Sequence, residues 1–316
     1  MRVVITGGAG FIGSHIAERL LQRGDVVVVI DNLATGSRSN LPTDSRLTFV
    51  EGNIANAELV NRLFGDVKPD RVIHAAASYR DPDNWFKDAN TNVLGSINVA
   101  RACQRFHVGR LLYFQTALCY GLHPIEQPIT LNHPLNPQAS SYALSKTAGE
   151  HYIRLSDVNH ITLRLANVYG PRNLGGPVPT FYHRLSKGEP CFVMDTRRDF
   201  IFVADVVDVA VQALDIENAS GSGVYHVSTG CDISIKELFD TVVEALGIEL
   251  NAPVEVRPRS PDDAFSILLD PSKTIENFDW AAKTALGDGI KAAIDWYRSH
   301  GVTETYTHLS MEAANR

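Results

Sequence analysis

The first 167 residues alternate short β-branched runs with longer stretches of helical pattern. The predicted strands are RVVIT (2–6), VVVVID (26–31), LTFVEG (47–52), RVIHAA (71–76), RLLYFQT (110–116) and ITLRLAN (161–167). Helical patterns such as GSHIAERLLQRG and TNVLGSINVARACQRF lie between them. Near-continuous apolar strands separated by helices indicate a parallel sheet covered on both faces. With right-handed crossovers, this predicts an α/β fold with a doubly wound parallel sheet of the Rossmann type.

The composition of the chain and the length of its apolar runs change after residue 167. GPRNLGGPVP is rich in glycine and proline, and shorter runs follow, among them CFVMD, RDFIFV, VYHVST and PVEVRP. We therefore expect the large domain to span 1–166. A smaller mixed α/β substrate-binding lobe is expected over 167–316, with a segment near 199–215 returning to the large domain. The final stretch, GVTETYTHLSMEAANR, is polar and is expected to be mobile at its end.

Composition and charge exclude several classes of partner. The formal net charge of −7 disfavours nucleic acid, which requires a basic footprint. Met1 leads directly into the first strand pattern, and the apolar runs are too short to span a bilayer, so neither a secretory signal nor a membrane is expected. The four cysteines are scattered, which indicates reduced thiols and no metal site. We expect a cytoplasmic protein whose partners are small molecules or copies of itself.

A glycine turn between the first strand and the first helix predicts a dinucleotide site. Gly7, Gly10 and Gly13 follow a G-x-x-G-x-x-G spacing. Such glycines let the backbone approach a pyrophosphate at the positive end of the helix. Asp31 ends the second strand, 18 positions after Gly13. A carboxylate there accepts hydrogen bonds from a ribose and repels a 2′-phosphate, which favours NAD over NADP.

SSYALSK places Tyr142 and Lys146 four residues apart, on one face of a predicted helix. An ammonium group near the phenol, together with a positively charged nicotinamide, would lower the pKa of Tyr142 toward working pH. A general base needs a pKa in that range. Taken alone, this spacing is common on solvated helices. An upstream NAD turn and Thr116 at a strand end make it a catalytic candidate.

These motifs together resemble the extended short-chain dehydrogenase/reductase family. The matching stretches are TGGAGFIG, VIHAAA, NVLGS, the strand that ends at Thr116, YALSK and LRLANVYGPRN. The resemblance is closest to the family's nucleotide-sugar epimerases and dehydratases, and it covers nearly the whole chain. It implies that Thr116 orients a sugar hydroxyl and that Tyr142 takes its proton. Lys146 would lower the pKa of Tyr142 and hold the nicotinamide ribose.

The resemblance also implies the residues that hold NAD, the substrate and a second copy of the chain. The cofactor residues are Gly7, Gly10, Phe11, Ile12, Gly13, Asp31, Asn32, Asn53, Ile54, Ala75, Ala76, Ala77, Asn92, Tyr142 and Lys146. The substrate residues are Thr116, Asn167, Arg198 and Arg259, of which the last three match groups that bind a diphosphate. A homodimer is expected through the helices that contain 91–106 and 142–154.

Several departures from the family pattern concern the base and the sugar. Asn53 stands where many relatives have an aspartate that holds the adenine, and Gly176 stands where an asparagine is expected. The usual stretch that frames the nucleotide base is replaced by the shorter CFVMDTRRDF. Relatives often place a bulky tyrosine near Ser266 and Ile267, and its absence here would admit larger sugar substituents. A UDP-sugar is the expectation by default.

The two residues after Thr116 decide between reactions. Dehydratases similar to this chain carry an acidic pair there, as in T-D-E-V-Y-G, which expels the C6 hydroxyl as water. Here the positions are Ala117 and Leu118, which cannot transfer a proton. Oxidation at C4, rotation of the 4-keto sugar and return of hydride to its other face remain possible. The sequence therefore predicts an NAD-dependent nucleotide-sugar 4-epimerase.

Three alternatives stay open. A 4-keto reductase would draw on NADPH, which Asp31 disfavours, and a dehydratase would need the missing acids. A non-catalytic NAD-binding protein would need neither Thr116 nor Tyr142. His74, at the end of a buried strand, is expected to be a packed core residue. Tyr79, Arg80 and Asp81 follow the fourth strand at the rim of the cofactor site, within reach of a sugar, and no specific role is assigned to them.

Overall fold

The computed structural model describes residues 1–215, 223–259 and 263–306. The strands are β1 (Arg2–Thr6), β2 (Val26–Asp31), β3 (Leu47–Glu51), β4 (Arg71–His74), β5 (Arg110–Thr116), β6 (His160–Leu165), β7 (Asn167–Tyr169), β8 (Phe192–Met194), β9 (Arg197–Arg198), β10 (Phe200–Phe202), β11 (Gly223–Val227), β12 (Ile233–Ser234) and β13 (Glu255–Arg257). The end of the polar tail, 307–316, lies outside the described residues, so the expectation of mobility there is not addressed.

The helices alternate with these strands. They are α1 (Phe11–Arg23), α2 (Ala57–Val67), α3 (Trp85–Asp88), α4 (Ser96–Arg105), α5 (Ser141–Leu155), α6 (Pro177–Ser186), α7 (Val203–Asp215), α8 (Ile235–Leu246), α9 (Ser272–Phe278) and α10 (Leu286–His300). A π-helical stretch, Ala89–Gly95, joins α3 to α4. Short 3₁₀ turns occupy Arg38–Asn40, Ala117–Tyr120 and Pro137–Ala139. In the described parts of the chain, none of the helices combines the length and the apolar composition needed to cross a bilayer.

Seven strands form one sheet in the order β11-β6-β5-β4-β1-β2-β3. Every pair of neighbours is parallel. The chain starts near the middle, winds outward through β2 and β3, and then crosses back to β4, β5 and β6. The predicted doubly wound Rossmann fold is confirmed.

Successive side chains along each strand point to opposite faces of the sheet, so the core has two layers, one on each face. In β1, Val3 and Ile5 pack on one face of the sheet with α1 and α7, whereas Val4 packs on the other. The second layer contains Phe64 from α2 and Ile153 from α5. Because side chains of a strand point to opposite faces, each apolar run must be covered on both sides.

Only a segment near 199–215 was expected to return to the large domain, and β11 lies beyond that segment. VYHVST was assigned to the smaller lobe, and that assignment is wrong for its first residues, since Gly223–Val227 pairs in parallel with β6 at the edge of the sheet. Tyr225 and Val227 are buried in the layer that contains α7. Both α7 and the strand that follows it, β11, therefore belong to the large domain, and β11 forms one edge of its sheet.

The remaining elements form a smaller unit with its own core. Its strand pairs are β7 with β10, β8 with β13 and β9 with β12. Phe181 of α6 and Phe239 of α8 meet edge to face with ring centroids 5.1 Å apart, and Tyr297 of α10 is buried with them. This unit lies beyond the carboxyl ends of the sheet strands, where it completes the pocket.

Candidate active site

A single continuous pocket follows the carboxyl ends of the parallel strands. Its wall takes residues from the loops after β1, β2, β3, β4, β5 and β6, and from the smaller unit. In open α/β sheets, ligands bind outside these strand ends, where the winding direction reverses. The pocket therefore lies where the fold predicts a site.

The glycine turn forms one end of the pocket. Gly7 has φ +69°, and a Cβ on it would lie 2.6 Å from the Ala76 backbone. A Cβ on Gly13 would lie 2.3 Å from the Gly7 carbonyl oxygen. Only glycine permits this approach, so the positive end of α1 stays open to the pocket. The cradle fits a pyrophosphate, as the sequence predicts.

Asp31 supports the glycine turn from the end of β2. Its carboxylate accepts the Ala9 backbone N–H at 2.9 Å and the Leu33 backbone N–H at 2.8 Å. Burial raises the pKa of Asp31, and these hydrogen bonds oppose the shift. The carboxylate therefore anchors the turn as well as facing the pocket.

The other predicted cofactor residues either line the pocket or hold in place the loops that line it. Phe11, Ile12, Asn32, Asn53, Ile54, Ala75, Ala76 and Ala77 line the pocket together with Gly10. The Asn53 side-chain oxygen accepts the Ala55 backbone N–H at 2.9 Å, which shapes the loop after β3.

Asn92 lies behind the wall rather than on it. Its side-chain oxygen accepts the Ser78 backbone N–H at 2.8 Å. Its Nδ2 donates to the Ser78 carbonyl at 2.9 Å and to the Ser145 Oγ at 3.0 Å. Both ends of the amide are thus engaged with protein groups. In this structure Asn92 positions the loop after β4, which does line the pocket.

The predicted triad meets at the middle of the pocket. Thr116 lies at the end of β5, and its side chain is near enough to the Tyr142 phenol, in the first turn of α5, to lower the pKa of that phenol. Lys146 follows one turn later on α5, with its Nζ 4.0 Å from the centroid of the Tyr113 ring. All three triad residues line the pocket.

Burial dominates the electrostatics of the triad. It raises the pKa of Tyr142 to about 12, against the effect of the nearby Thr116 side chain. It lowers the pKa of Lys146 to about 7, and the nearby Glu150 carboxylate opposes that shift. The protein surroundings alone therefore leave Tyr142 protonated at neutral pH.

Ala117 and Leu118 also line the pocket, beside Thr116. Ala117 is buried, and Leu118 is half-buried against a small apolar cluster that includes Tyr120 and Ile267. The Leu118 side chain therefore packs into the cluster and also faces the pocket. The wall next to the triad is apolar where a dehydratase would have acids.

The substrate residues from the smaller unit are only partly brought together. Asn167 and Arg198 line the pocket, and Arg198 forms a salt bridge with Asp263. Arg259 is not among the lining residues, and its guanidinium donates to the Asp263 carbonyl at 2.6 Å. Its assignment to the diphosphate stays a prediction. Ile267 faces the pocket at the position where relatives place a tyrosine.

Sequence reasoning missed several lining residues. They are Ser78, Lys87, Asn173, Gly175, Asp263 and Tyr306. The position of Tyr79 and Arg80 after β4 pointed to the rim of the pocket, although no role followed from it. Tyr306 lies in the polar tail, where no periodicity or spacing marks it. His74, in contrast, is fully buried and bonded to Thr6 and Ser96, which confirms it as a core residue.

Fold and pocket together define a dinucleotide-binding enzyme with a Thr–Tyr–Lys site. The model of the NAD dependent epimerase/dehydratase family matches residues 3–228. The chain belongs to this family, and its cofactor is NAD.

Relatives cover almost the full length of the chain. A UDP-glucose 4-epimerase of Mycolicibacterium smegmatis is 34% identical over 95% of this chain and 99% of its own length. The Bordetella bronchiseptica enzyme WbmH, in complex with NAD+, is 52% identical with a TM-score of 0.91, over 95% of this chain and 99% of its own. WbmG of the same organism, in complex with NAD and UDP, is 48% identical with a TM-score of 0.90, over 98% and 99%.

Proposed function

We propose that this protein is an NAD-dependent 4-epimerase of nucleotide sugars, with UDP as the nucleotide. The observation that carries the proposal is the neighbourhood of Thr116. Thr116 and Tyr142 share the pocket wall with Ala117 and Leu118, so polar groups serve proton transfer at C4 and no acid serves elimination of the C6 hydroxyl. The named relatives and the UDP-bound neighbour support the substrate class.

The glycine turn and the strand ends would hold the cofactor. Gly7 and Gly13 leave room for a pyrophosphate at the start of α1, and the Asp31 carboxylate, which lines the pocket, would bind the adenosine ribose. NAD supplies the acceptor of hydride from C4 and the donor on its return. Because no net oxidation results, NAD is regenerated within each turnover and need not leave the site.

Tyr142 is the proposed general base and acid. It takes the proton of the C4 hydroxyl during oxidation and returns it after the 4-keto sugar has rotated. Thr116, which lines the pocket with Tyr142, is the proposed group that orients the same hydroxyl. Since burial holds the pKa of Tyr142 at about 12, the reaction needs nearby positive charge to lower it. The nicotinamide ring and protonated Lys146 are the proposed sources.

The diphosphate would lie between the smaller unit and the strand ends. Arg198 and Asn167 face this part of the pocket, so they are the proposed ligands. Arg198 is now paired with Asp263, and binding would require its guanidinium to share or leave that carboxylate. A guanidinium suits a diphosphate because its donors match pairs of phosphate oxygens.

We further propose a homodimer in the cytoplasm. Leu144, Tyr152 and Leu155 form an exposed stripe on α5, and Leu94 is exposed on the adjacent helical stretch. Such a continuous apolar face is typical of an interface. All four cysteines are free, in agreement with a reducing compartment.

The test is incubation of the purified protein with a panel of UDP-, dTDP- and GDP-sugars without added cofactor, followed by NMR of the products. Formation of the C4 epimer of one sugar is expected, with UDP preferred. NADH-dependent reduction of a 4-keto sugar without epimerisation would contradict the proposal. Loss of water to give a 4-keto-6-deoxy sugar would contradict it as well.

A further inference from the structure

The C-terminal segment that follows α10 returns to the mouth of the pocket. The Tyr306 backbone N–H donates to the Leu174 carbonyl at 3.2 Å, and the Gly176 N–H donates to the Tyr306 carbonyl at 2.9 Å. The Val302 carbonyl lies 2.8 Å from Nδ1 of His183 on α6. These contacts fix the segment 302–306, which we call the strap, beside the loop after β7.

Gly175 permits the approach of the strap. A Cβ at this position would lie 2.7 Å from Cε2 of the Tyr306 ring. The ring therefore packs directly on the backbone of the loop. Such contact distances leave no room for any side chain larger than hydrogen.

The Tyr306 side chain extends from the strap to the loop after β4. Its hydroxyl is 2.7 Å from the Tyr79 hydroxyl, and the two ring centroids are 5.7 Å apart. The Arg80 guanidinium lies 5.3 Å above the Tyr306 ring and pairs with Glu304 of the strap. The strap is thus joined to the wall on two sides of the pocket.

This contact lies next to the proposed reacting centre. The Tyr79 ring centroid is 6.0 Å from that of Tyr142, and all three tyrosines line the pocket. One of the two hydroxyl hydrogens lies in the hydrogen bond between the phenols. The other hydroxyl hydrogen and several oxygen lone pairs remain available to a ligand. The 6.0 Å approach of the Tyr79 ring to the Tyr142 ring places this pair beside the part of the pocket where a sugar would meet Tyr142.

We propose that Tyr306, delivered by the strap and held by Tyr79, is a specificity residue that contacts the sugar ring of the nucleotide sugar. This inference rests on the proposed function, because it names the group that selects the substrate of the same site. Tyr306 would bind a sugar hydroxyl or amide oxygen. It would have no part in binding the nucleotide.

The experiment is calorimetric titration of the NAD-bound protein with UDP, UDP-glucose and UDP-N-acetylglucosamine. Tyr306→Phe keeps the ring and removes the hydroxyl. We expect about a tenfold loss of affinity for at least one UDP-sugar and no change for UDP. Tyr182→Phe, which alters a half-buried tyrosine of α6 that does not line the pocket, is the matched control and should alter neither.

Two further variants test whether the loss of UDP-sugar affinity arises from the position of the Tyr306 ring and its contact with Tyr79. Gly175→Ala should push the Tyr306 ring away and reproduce the sugar-selective loss without changing a tyrosine. Tyr79→Phe should weaken UDP-sugar binding, and its effect combined with Tyr306→Phe should be smaller than the sum, since the two hydroxyls act as a pair.

The outcomes separate the inference from the proposed function. If the unaltered protein binds none of the three ligands, the proposed UDP-sugar function fails and the specificity role fails with it. If it binds them and Tyr306→Phe changes no UDP-sugar affinity, the specificity role alone is overturned. An equal loss for UDP and the UDP-sugars would also overturn it, because Tyr306 would then act on the nucleotide end.

Discussion

The Glu150 carboxylate and the Arg164 guanidinium form a buried ion pair at 2.7 Å, directly behind the candidate active site. Glu150 also accepts a hydrogen bond from Gln115 Nε2 at 3.0 Å, and Gln115 Oε1 accepts the Thr116 backbone N–H at 2.8 Å. One carboxylate therefore links the end of β5, β6 and the helix that carries Lys146.

We expect Glu150→Gln to lower the free energy of unfolding by about 3–5 kcal/mol, because it leaves Arg164 buried without a counter-charge. Chemical denaturation measures the change. Glu244→Gln, at an exposed position on α8, is the control and should stay within about 0.5 kcal/mol. A double variant, Glu150→Leu with Arg164→Met, should be more stable than Glu150→Gln, and a less stable double variant would contradict this account.

The buried Lys146 should make stability depend on pH. Its pKa is about 7 in the folded protein against 10.5 ordinarily, so the unfolded chain binds more protons between these values. The free energy of unfolding of cofactor-free protein should therefore rise from pH 7 to 10.5, by at most about 1.4 kcal/mol per pH unit from this group.

Lys146→Met should remove that component of the slope and be more stable than the unaltered protein at pH 7, by a few kcal/mol. Denaturant unfolding at several pH values measures both effects. Lys87→Met, which replaces an exposed lysine, should leave the slope unchanged. An unchanged slope in Lys146→Met would show that the ammonium is not penalised by burial.

Tyr142→Phe should reduce turnover by about 10²–10⁴-fold, the usual contribution of a positioned general base. The NAD content of the purified protein should be retained, since the ring remains in place. Product NMR and release of NAD on denaturation measure the two properties. Tyr182→Phe, on α6 and outside the pocket, serves as the control, and full turnover in Tyr142→Phe would remove the phenol from the mechanism.

Gly13→Ala should disrupt the cofactor cradle, because the added Cβ would lie 2.3 Å from the Gly7 carbonyl oxygen. We expect loss of bound NAD and a fall of about 1–3 kcal/mol in the free energy of unfolding. At Gly287, in the first turn of α10, a Cβ meets no atom within 4 Å. Gly287→Ala should keep its NAD, whereas equal behaviour of the two variants would argue against the cradle.

Leu155→Asp should dissociate the proposed dimer by placing a charge in the apolar stripe of α5. Leu155 is 77% exposed in the single chain, so the substitution leaves the core intact. Light scattering after size exclusion measures the mass. Leu250→Asp, exposed in the loop before β13, is the control. A monomeric unaltered protein would refute the dimer.

The parts predicted correctly from sequence rest on local patterns. Apolar runs mark β1, β2, β4, β5 and β6 because these strands are largely buried on both faces of a parallel sheet, whereas β3 lies at its edge and is only partly buried. The glycine turn and the Tyr142–Lys146 spacing depend on neighbours within one or two helical turns. A strand end, a helix start and a four-residue spacing are enough to bring Thr116, Tyr142 and Lys146 to one pocket.

Only tertiary structure decided the rest. Tyr306 and Tyr79 are 227 residues apart and meet through the packing of α10 and the room left by Gly175. VYHVST has the composition of any short strand. It lies beside β6 because the preceding helix, α7, packs on the large sheet. Arg259 turns to the Asp263 carbonyl instead of the pocket. Contacts between distant segments leave no periodicity in either segment, because they depend on how completed elements pack together.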